Sequence, residues 1–261
     1  MTKKQKYPSD LTDEQVEFIK QFLPESSGFG RPSLDIHQVL NAIFYVIVGG
    51  IAWRMLPTDL PNWKSVYHYF WKWRKSGEWK RIYQALRQIE RLRQGREKQA
   101  SAGCLDSQSV KNVGGKQEAR GYDAGKKITG RKRHLLVDTL GLPIAVKVTA
   151  ASESDQAGAR ILFTENQEQL KGVKKIWVDG TYRGEEWHAE VKRDYGIDLE
   201  VSRNPEGIKG FVVQAKRWVV ERTFGWSIQA RRLAREYEKL AESSEAMIHL
   251  NMIRLLVKRL A

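Results

Sequence analysis

The run Ile176-Trp177-Val178 is apolar, favours a strand, and stops at once on Asp179-Gly180. It reads as a short buried strand ending on a carboxylate, within the stretch from Lys174 to Gly184. Such a carboxylate is a candidate site, although Asp-Gly is also an ordinary turn pair. A second segment has the same form: Ser101-Ala102-Gly103-Cys104-Leu105 is small and apolar up to Asp106, then polar and basic through Lys111. Two acidic strand ends face each other if their strands are neighbours.

The chain of 261 residues is long enough for one large domain or two modest ones. Lys and Arg number 45 against 31 Asp and Glu, a formal net charge of +14 spread along the whole chain. That distribution argues for a broad polyanion-binding surface, with nucleic acid as the leading partner. Cys104 is the single cysteine, which excludes an intramolecular disulfide and a thiolate zinc site. The N-terminus is basic without a hydrophobic signal, and Ile36 to Ile51 is too interrupted to span a bilayer, so a cytoplasmic protein without a membrane partner is expected.

Residues 1–98 read as helical. Thr12 can cap a helix to Leu23 with Gln15 as capping-box partner, and Ser33 or Asp35 can cap a second, carrying Val39, Leu40, Ile43, Phe44, Ile47 and Val48 at helical spacing. A Pro-punctuated link leads to Asn62 or Ser65 and a third helix rich in aromatic and basic residues. Helix, link and basic aromatic helix are similar to a helix-turn-helix unit, with Lys64, Tyr67, His68, Lys72 and Lys75 placed to meet DNA. A plain bundle with a solvated basic face fits the same spacing. A fourth helix runs from Glu78 through Gln94, and composition shifts between Gly95 and Ala102, where a domain boundary is expected.

Residues 99–261 read as mixed α/β. The Gly- and Lys-rich segment from Lys111 to Lys127 lacks apolar periodicity and reads as exposed loop. His134 to Asp138 and Leu142 to Val148 flank Thr139-Leu140-Gly141 as a hairpin, which makes Asp138 a turn residue. Asp155 can cap a helix from Gln156 to Leu170; a helix from Gly184 to Tyr195, a strand from Ile197 to Ser202, and helices from Val212 to Leu233 and Glu242 to Leu260 follow. The expected architecture is a central sheet with helices.

Glu221 has Trp218, Gly225 and Ile228 as helical neighbours, which places an acid on or beside an apolar face. An ion pair with Arg217 one turn earlier is the structural explanation. Three carboxylates, Asp106, Asp179 and Glu221, in one cleft would instead require a cation, and oxygen ligands suit Mg²⁺ or Mn²⁺. Two such ions can activate a hydroxyl and stabilise a leaving oxygen at a phosphodiester. A Walker loop, a dinucleotide-binding glycine fingerprint and a His-rich metal motif are all absent from the sequence, so no small-molecule cofactor is expected.

Several ordered motifs carry a resemblance. Gly30-Arg31-Pro32, Ala52-Trp53-Arg54-Met55-Leu56-Pro57, Leu105-Asp106-Ser107-Gln108-Ser109-Val110-Lys111, Gly121 to Lys127, Gly130-Arg131-Lys132-Arg133-His134, Val178 to Gly184 and Val220 to Trp226 together resemble the DDE-type transposases of bacterial insertion sequences, in particular the insertion-sequence-five family. The resemblance implies a ribonuclease H-like domain with Asp106 and Asp179 on adjacent strands and Glu221 on a following helix. It further implies a dimer that binds the element's terminal inverted repeats, cleaves its ends and joins the 3′-hydroxyls to target DNA. Against the Tyr-Arg-Glu-Lys pattern of the related insertion-sequence-four group, this chain carries Gln214, Arg217, Glu221 and Ile228, so only the Arg and Glu are kept. Arg231 or Arg232 is a substitute for the missing cation.

On this reading Lys126, Lys127, Arg131, Lys132, Arg133, Arg217, Arg222, Arg231 and Arg232 contact phosphate beside a two-ion site at Asp106, Asp179 and Glu221. The 41 residues between Asp179 and Glu221 leave no room for an inserted domain, so base flipping would fall to residues such as Trp218 and Trp226. Two other readings remain: a DNA-binding relic that represses its own element, and a ribonuclease H-like nuclease.

Overall fold

The computed structural model describes residues 6–24, 34–202 and 217–261. Its first helix, α1 (Asp13–Lys20), begins at the capping box expected from sequence: Thr12 accepts from the Gln15 amide and Gln15 returns a bond to the Thr12 amide. Asp35 caps α2 (Ile36–Gly49), which ends on Gly50 at φ 71°. A side chain at Gly50 would collide with Arg231, so the positive φ and the close approach both require glycine. Asn62 caps α3 (Trp63–Lys75), and α4 (Glu78–Arg93) follows after a tight turn at Gly77.

Among the described residues, six strands form one mixed sheet. At its centre β1 (Ala102–Lys111) pairs antiparallel with β3 (Ile128–Asp138) and parallel with β5 (Lys175–Val178). Beyond β3 lie β4 (Pro143–Ala150) and, further along the same strand, the short β2 (Gly121–Asp123); beyond β5 lies β6 (Asp198–Val201), parallel to it. The remaining helices are α5 (Asp155–Glu165), α6 (Gln167–Leu170), α7 (Glu185–Tyr195), α8 (Trp218–Gln229) and α9 (Ala241–Leu260). Mixed α/β architecture with helices preceding the sheet is therefore observed, as expected.

Strand alternation divides the core in two. Leu105, Leu136, Ile176 and Val178 face one side, where they pack with Leu162 and Phe163 of α5 and Trp187 and Val191 of α7. Cys104, Leu135, Val137 and Trp177 face the other, with Val220 and Phe224 of α8 and the buried side of α9. The same cluster takes in α1 to α4, because α9 packs on all four. Asp138 holds the β3–β4 turn as expected, accepting from the amides of Leu140 and Leu142. Fully buried, it also receives Arg91 of α4 at 2.6 Å and ties that helix to the sheet.

Several boundaries differ from the sequence reading. Asp106 lies in the middle of β1, not at its end. The strand continues through polar residues because Ser107 and Ser109 donate to Asp155 and Asp123. Likewise β3 starts before His134 and incorporates Gly130 to Arg133. Ser154, not Asp155, caps α5, and the expected single helix breaks at Asn166. The sequence expectation for Val212 to Leu233 becomes α8 and a 3₁₀ turn at Arg231–Leu233, with residues 212–216, including Gln214, outside the described residues. Gly30-Arg31-Pro32 and Ser33 also lie outside them.

Candidate active site and nucleic-acid interface

Period-two alternation places the two strand carboxylates. Cys104 pairs with Trp177 across the parallel β1–β5 ladder, and both point to the α8 side. Two residues further along each chain stand Asp106 and Asp179, which the same alternation turns to that side. β5 has ended by then, and Asp179 accepts from the Thr181 amide at 2.8 Å and from the Thr181 hydroxyl. This local turn fixes the carboxylate.

Asp106 is largely buried. Desolvation is the main reason its carboxyl rises from 3.8 to about 6; the Ser107 amide and the Arg217 charge oppose the rise, and the charge of Asp179 adds to it. Arg217, at the start of α8, brings its guanidinium to 3.5 Å from Asp106. The charge of Lys126, exposed in the β2–β3 loop, also acts on Asp106.

Glu221 stands one turn after Arg217 on α8, on a helix that packs against β1 and β3. Its surroundings differ from the expectation: Glu221 and Gly225 are exposed and Ile228 is half exposed, so this is not an apolar face. The Arg217 guanidinium reaches Asp106 instead. Among the described residues, no group of three or more His, Cys, Asp or Glu side chains is close enough to hold a metal ion. Asp106 and Asp179 are nevertheless close enough to repel, and their oxygens are the donors a hard divalent cation takes.

The basic residues fall into two sets. On α3, Lys64, Tyr67, His68, Lys72 and Lys75 share one exposed face, as helical spacing predicts. Trp71, not singled out from the sequence, completes that face: His68 stacks on it and the Lys75 ammonium lies 5.4 Å from its ring centroid. Its position one turn before Lys75 and one turn after Tyr67 was the available signal. Arg54 similarly covers Trp63 at 5.4 Å.

The second set corrects the sequence reading. Arg131, Lys132 and Arg133 are buried in β3 and do not face solvent. Arg131 donates to the carbonyls of Glu118, Glu238, Lys239 and Leu240 and to the Glu236 carboxylate. Arg133 shares Glu236 and reaches the Leu233 carbonyl, whereas Lys132 points to the opposite face and pairs with Asp155 at 3.0 Å. Arg232 is also buried, bonded to Glu238 and the Ile51 carbonyl, so it is no phosphate contact; Arg231, Lys126 and Lys127 are exposed. Arg222 is half-buried against Trp218 and Trp226.

Among the described residues, no helix is long and apolar enough to cross a membrane. Residues 97–256 match the family described as "Transposase DDE domain", and residues 11–83 match "Putative transposase of IS4/5 family". Two Burkholderia cepacia proteins are similar. The "Putative transposase for insertion sequence element IS402" is 28% identical over 128 residues, covering 46% of this chain and 60% of that protein. The "Insertion element IS402 uncharacterized 16.2 kDa protein" is 26% identical over 115 residues, covering 41% of this chain and 77% of that one. Since the first match spans most of the sheet and the helices on both its faces, the chain belongs to the DDE-type transposases of insertion sequences.

Proposed function

We propose that the protein is a DNA transposase that binds the terminal inverted repeats of its insertion sequence, cleaves at the element's ends and joins the 3′-hydroxyls to target DNA. Asp106, Asp179 and Glu221 are its catalytic carboxylates, within a ribonuclease H-like domain of residues 99–261. Residues 1–98 are the DNA-binding module, built like a helix-turn-helix, and the working unit is a cytoplasmic homodimer. The observation that carries the reading is the juxtaposition of Asp106, in β1, and Asp179, just past the end of the neighbouring β5, on the side covered by α8.

Asp106, Asp179 and Glu221, the last on the exposed side of α8, would together hold Mg²⁺ or Mn²⁺, two ions to the site. Bound there, such ions would supply activation of an attacking oxygen and stabilisation of the leaving one in phosphodiester transfer. Thr181 keeps the Asp179 carboxylate oriented, and the Ser107 amide does the same for Asp106. Arg217, Lys126, Lys127 and Arg231 place positive charge at the rim, and the α3 face supplies a second contact area for the duplex. Arg222 belongs to neither set.

The test is cleavage of end-labelled duplex carrying the element's terminal sequence, with Mg²⁺ or Mn²⁺. Metal-dependent nicks at the repeat boundary that vanish in Asp106→Asn, Asp179→Asn and Glu221→Gln are expected. Binding to those ends without cutting, identical in parent and variants, would make the protein a DNA-binding relic.

A further inference from the structure

Asp106 and Asp179 stand where the pairing of their strands has stopped. The parallel β1–β5 ladder ends at Cys104 and Trp177, two residues short of both carboxylates. Asp106 is still held on its other side by β3, opposite Leu135. Asp179 lies past the end of β5, where the 3₁₀ turn Gly180–Tyr182 begins. Something other than the β1–β5 ladder must therefore set the distance between them.

The reverse face of the sheet supplies that link. Strand alternation turns Ser107 away from Asp106 and toward α5, whose first turn carries Asp155 and Gln156. The Ser107 hydroxyl donates to Asp155 at 2.6 Å, and the Lys132 ammonium pairs with the same carboxylate at 3.0 Å. Gln156 reaches the other segment: its side-chain amide donates to the carbonyls of Thr181, at 3.2 Å, and Arg183, at 2.8 Å. The Thr181 amide in turn holds the Asp179 carboxylate. One helical turn is thus bonded to near neighbours of both carboxylates. That turn is itself fixed. Ser154 caps α5, and Lys132 also donates to the Glu153 carbonyl at 2.8 Å. Gly158 lets α5 lie directly on His134 of β3, since a side chain there would collide with the imidazole. Tyr182 is fully buried in the same region; burial first, then the charges of Asp155, Asp106 and Asp179, hold its phenol well above its ordinary value. Gln156 is only half-buried, so core packing does not account for it.

We propose that Asp155 and Gln156 are positioning residues that set the separation of the Asp106 and Asp179 carboxylates, and thereby the affinity of the pair for a divalent cation. Neither residue touches the ion. Each acts through a neighbour of a carboxylate, Asp155 through Ser107 and Gln156 through the turn at Thr181. Groups that orient metal-binding side chains in this way change metal affinity by roughly 10-fold to 100-fold when removed. The inference rests on reading Asp106 and Asp179 as a metal centre, and adds the device that spaces them.

The experiment uses the full chain without DNA and reads two quantities: Mn²⁺ affinity, by electron paramagnetic resonance, and hydrogen exchange at the Thr181 amide without metal. Gln156→Met keeps the side-chain length and removes both donated bonds. It should weaken Mn²⁺ binding by roughly 10-fold to 100-fold and speed Thr181 exchange by roughly 10-fold, with unchanged circular dichroism. Ser107→Ala cuts the opposite arm and should also weaken Mn²⁺ binding. Thr164→Ala, near the far end of α5, should change neither quantity. Parent-like Mn²⁺ affinity in Gln156→Met or in Ser107→Ala would overturn the proposal, as would an equal loss in Thr164→Ala or Thr181 exchange that stays at the parent rate in Gln156→Met. A parent that binds no Mn²⁺ would remove the metal-centre reading and the proposal with it. A parent that binds Mn²⁺ no more tightly than Gln156→Met would remove the clamp alone.

Discussion

Two basic stretches of similar composition have opposite fates. Lys64, Lys72 and Lys75 lie on the exposed face of α3, while Arg131, Lys132 and Arg133 are buried in β3. On an edge helix the 3.6-residue period keeps charges on one side and Val66, Phe70 and Trp73 on the other. A central strand with neighbours on both edges and layers on both faces has no solvent side. Its basic residues alternate between the two layers and are held there by carboxylates and carbonyls, Glu236 above all. Local density of Lys and Arg therefore says little about function until the period and the layer are known.

The contrast breaks hardest at Glu236. Glu236→Ala removes the carboxylate shared by Arg131, Arg133 and Ser244, and leaves two buried guanidiniums short of a partner. A loss of about 3–5 kcal/mol in urea unfolding is expected. The combined Lys64→Ala, Lys72→Ala and Lys75→Ala variant should stay within about 0.5 kcal/mol of the parent. Similar losses in both would erase the distinction.

Acid should sharpen it next. Burial holds His134, beside Lys132 in β3, down at about 4, against 6.5 when unfolded. Its neutral form is favoured in the fold, so its contribution is complete above pH 6.5 and is lost as pH falls toward 4. At full extent this is about 3 kcal/mol. His134→Asn should flatten stability over that window; equal profiles for parent and His134→Asn would contradict the assignment.

On the exposed side the readout is DNA. If Lys64, Lys72 and Lys75 each neutralise one phosphate, the triple alanine variant should lower the slope of log affinity against log salt by about 2.7. An unchanged slope would separate α3 from the duplex. The smallest effect is expected for Trp71→Ala, which removes the support of Lys75 and should weaken binding by about 1 kcal/mol or less, with no loss of fold.

Much of the fold was legible from local chemistry. Thr12, Asp35 and Asn62 cap the helices they were expected to cap, and the Asp138 turn and the Ile176–Val178 strand stand where patterning placed them. Asp106 and Asp179 were readable as a pair because each follows an apolar strand segment. What failed depends on distant partners. Ser107 and Ser109 looked like the end of a strand because Asp155 and Asp123, which satisfy them, lie far along the chain. Arg131 and Arg133 looked like phosphate contacts because Glu236, more than a hundred residues later, is invisible to local spacing. Glu221 was placed on or beside an apolar face by its helical neighbours, yet that side of α8 is uncovered among the described residues.

The most direct measurement is Mn²⁺ binding, by electron paramagnetic resonance, to the parent and to Asp106→Asn, Asp179→Asn and Glu221→Gln on terminal-repeat duplex. The account predicts two bound ions per subunit in the parent, with at least one lost in every variant. Equal Mn²⁺ occupancy in the parent and all three variants would contradict the assignment of these carboxylates as one catalytic centre.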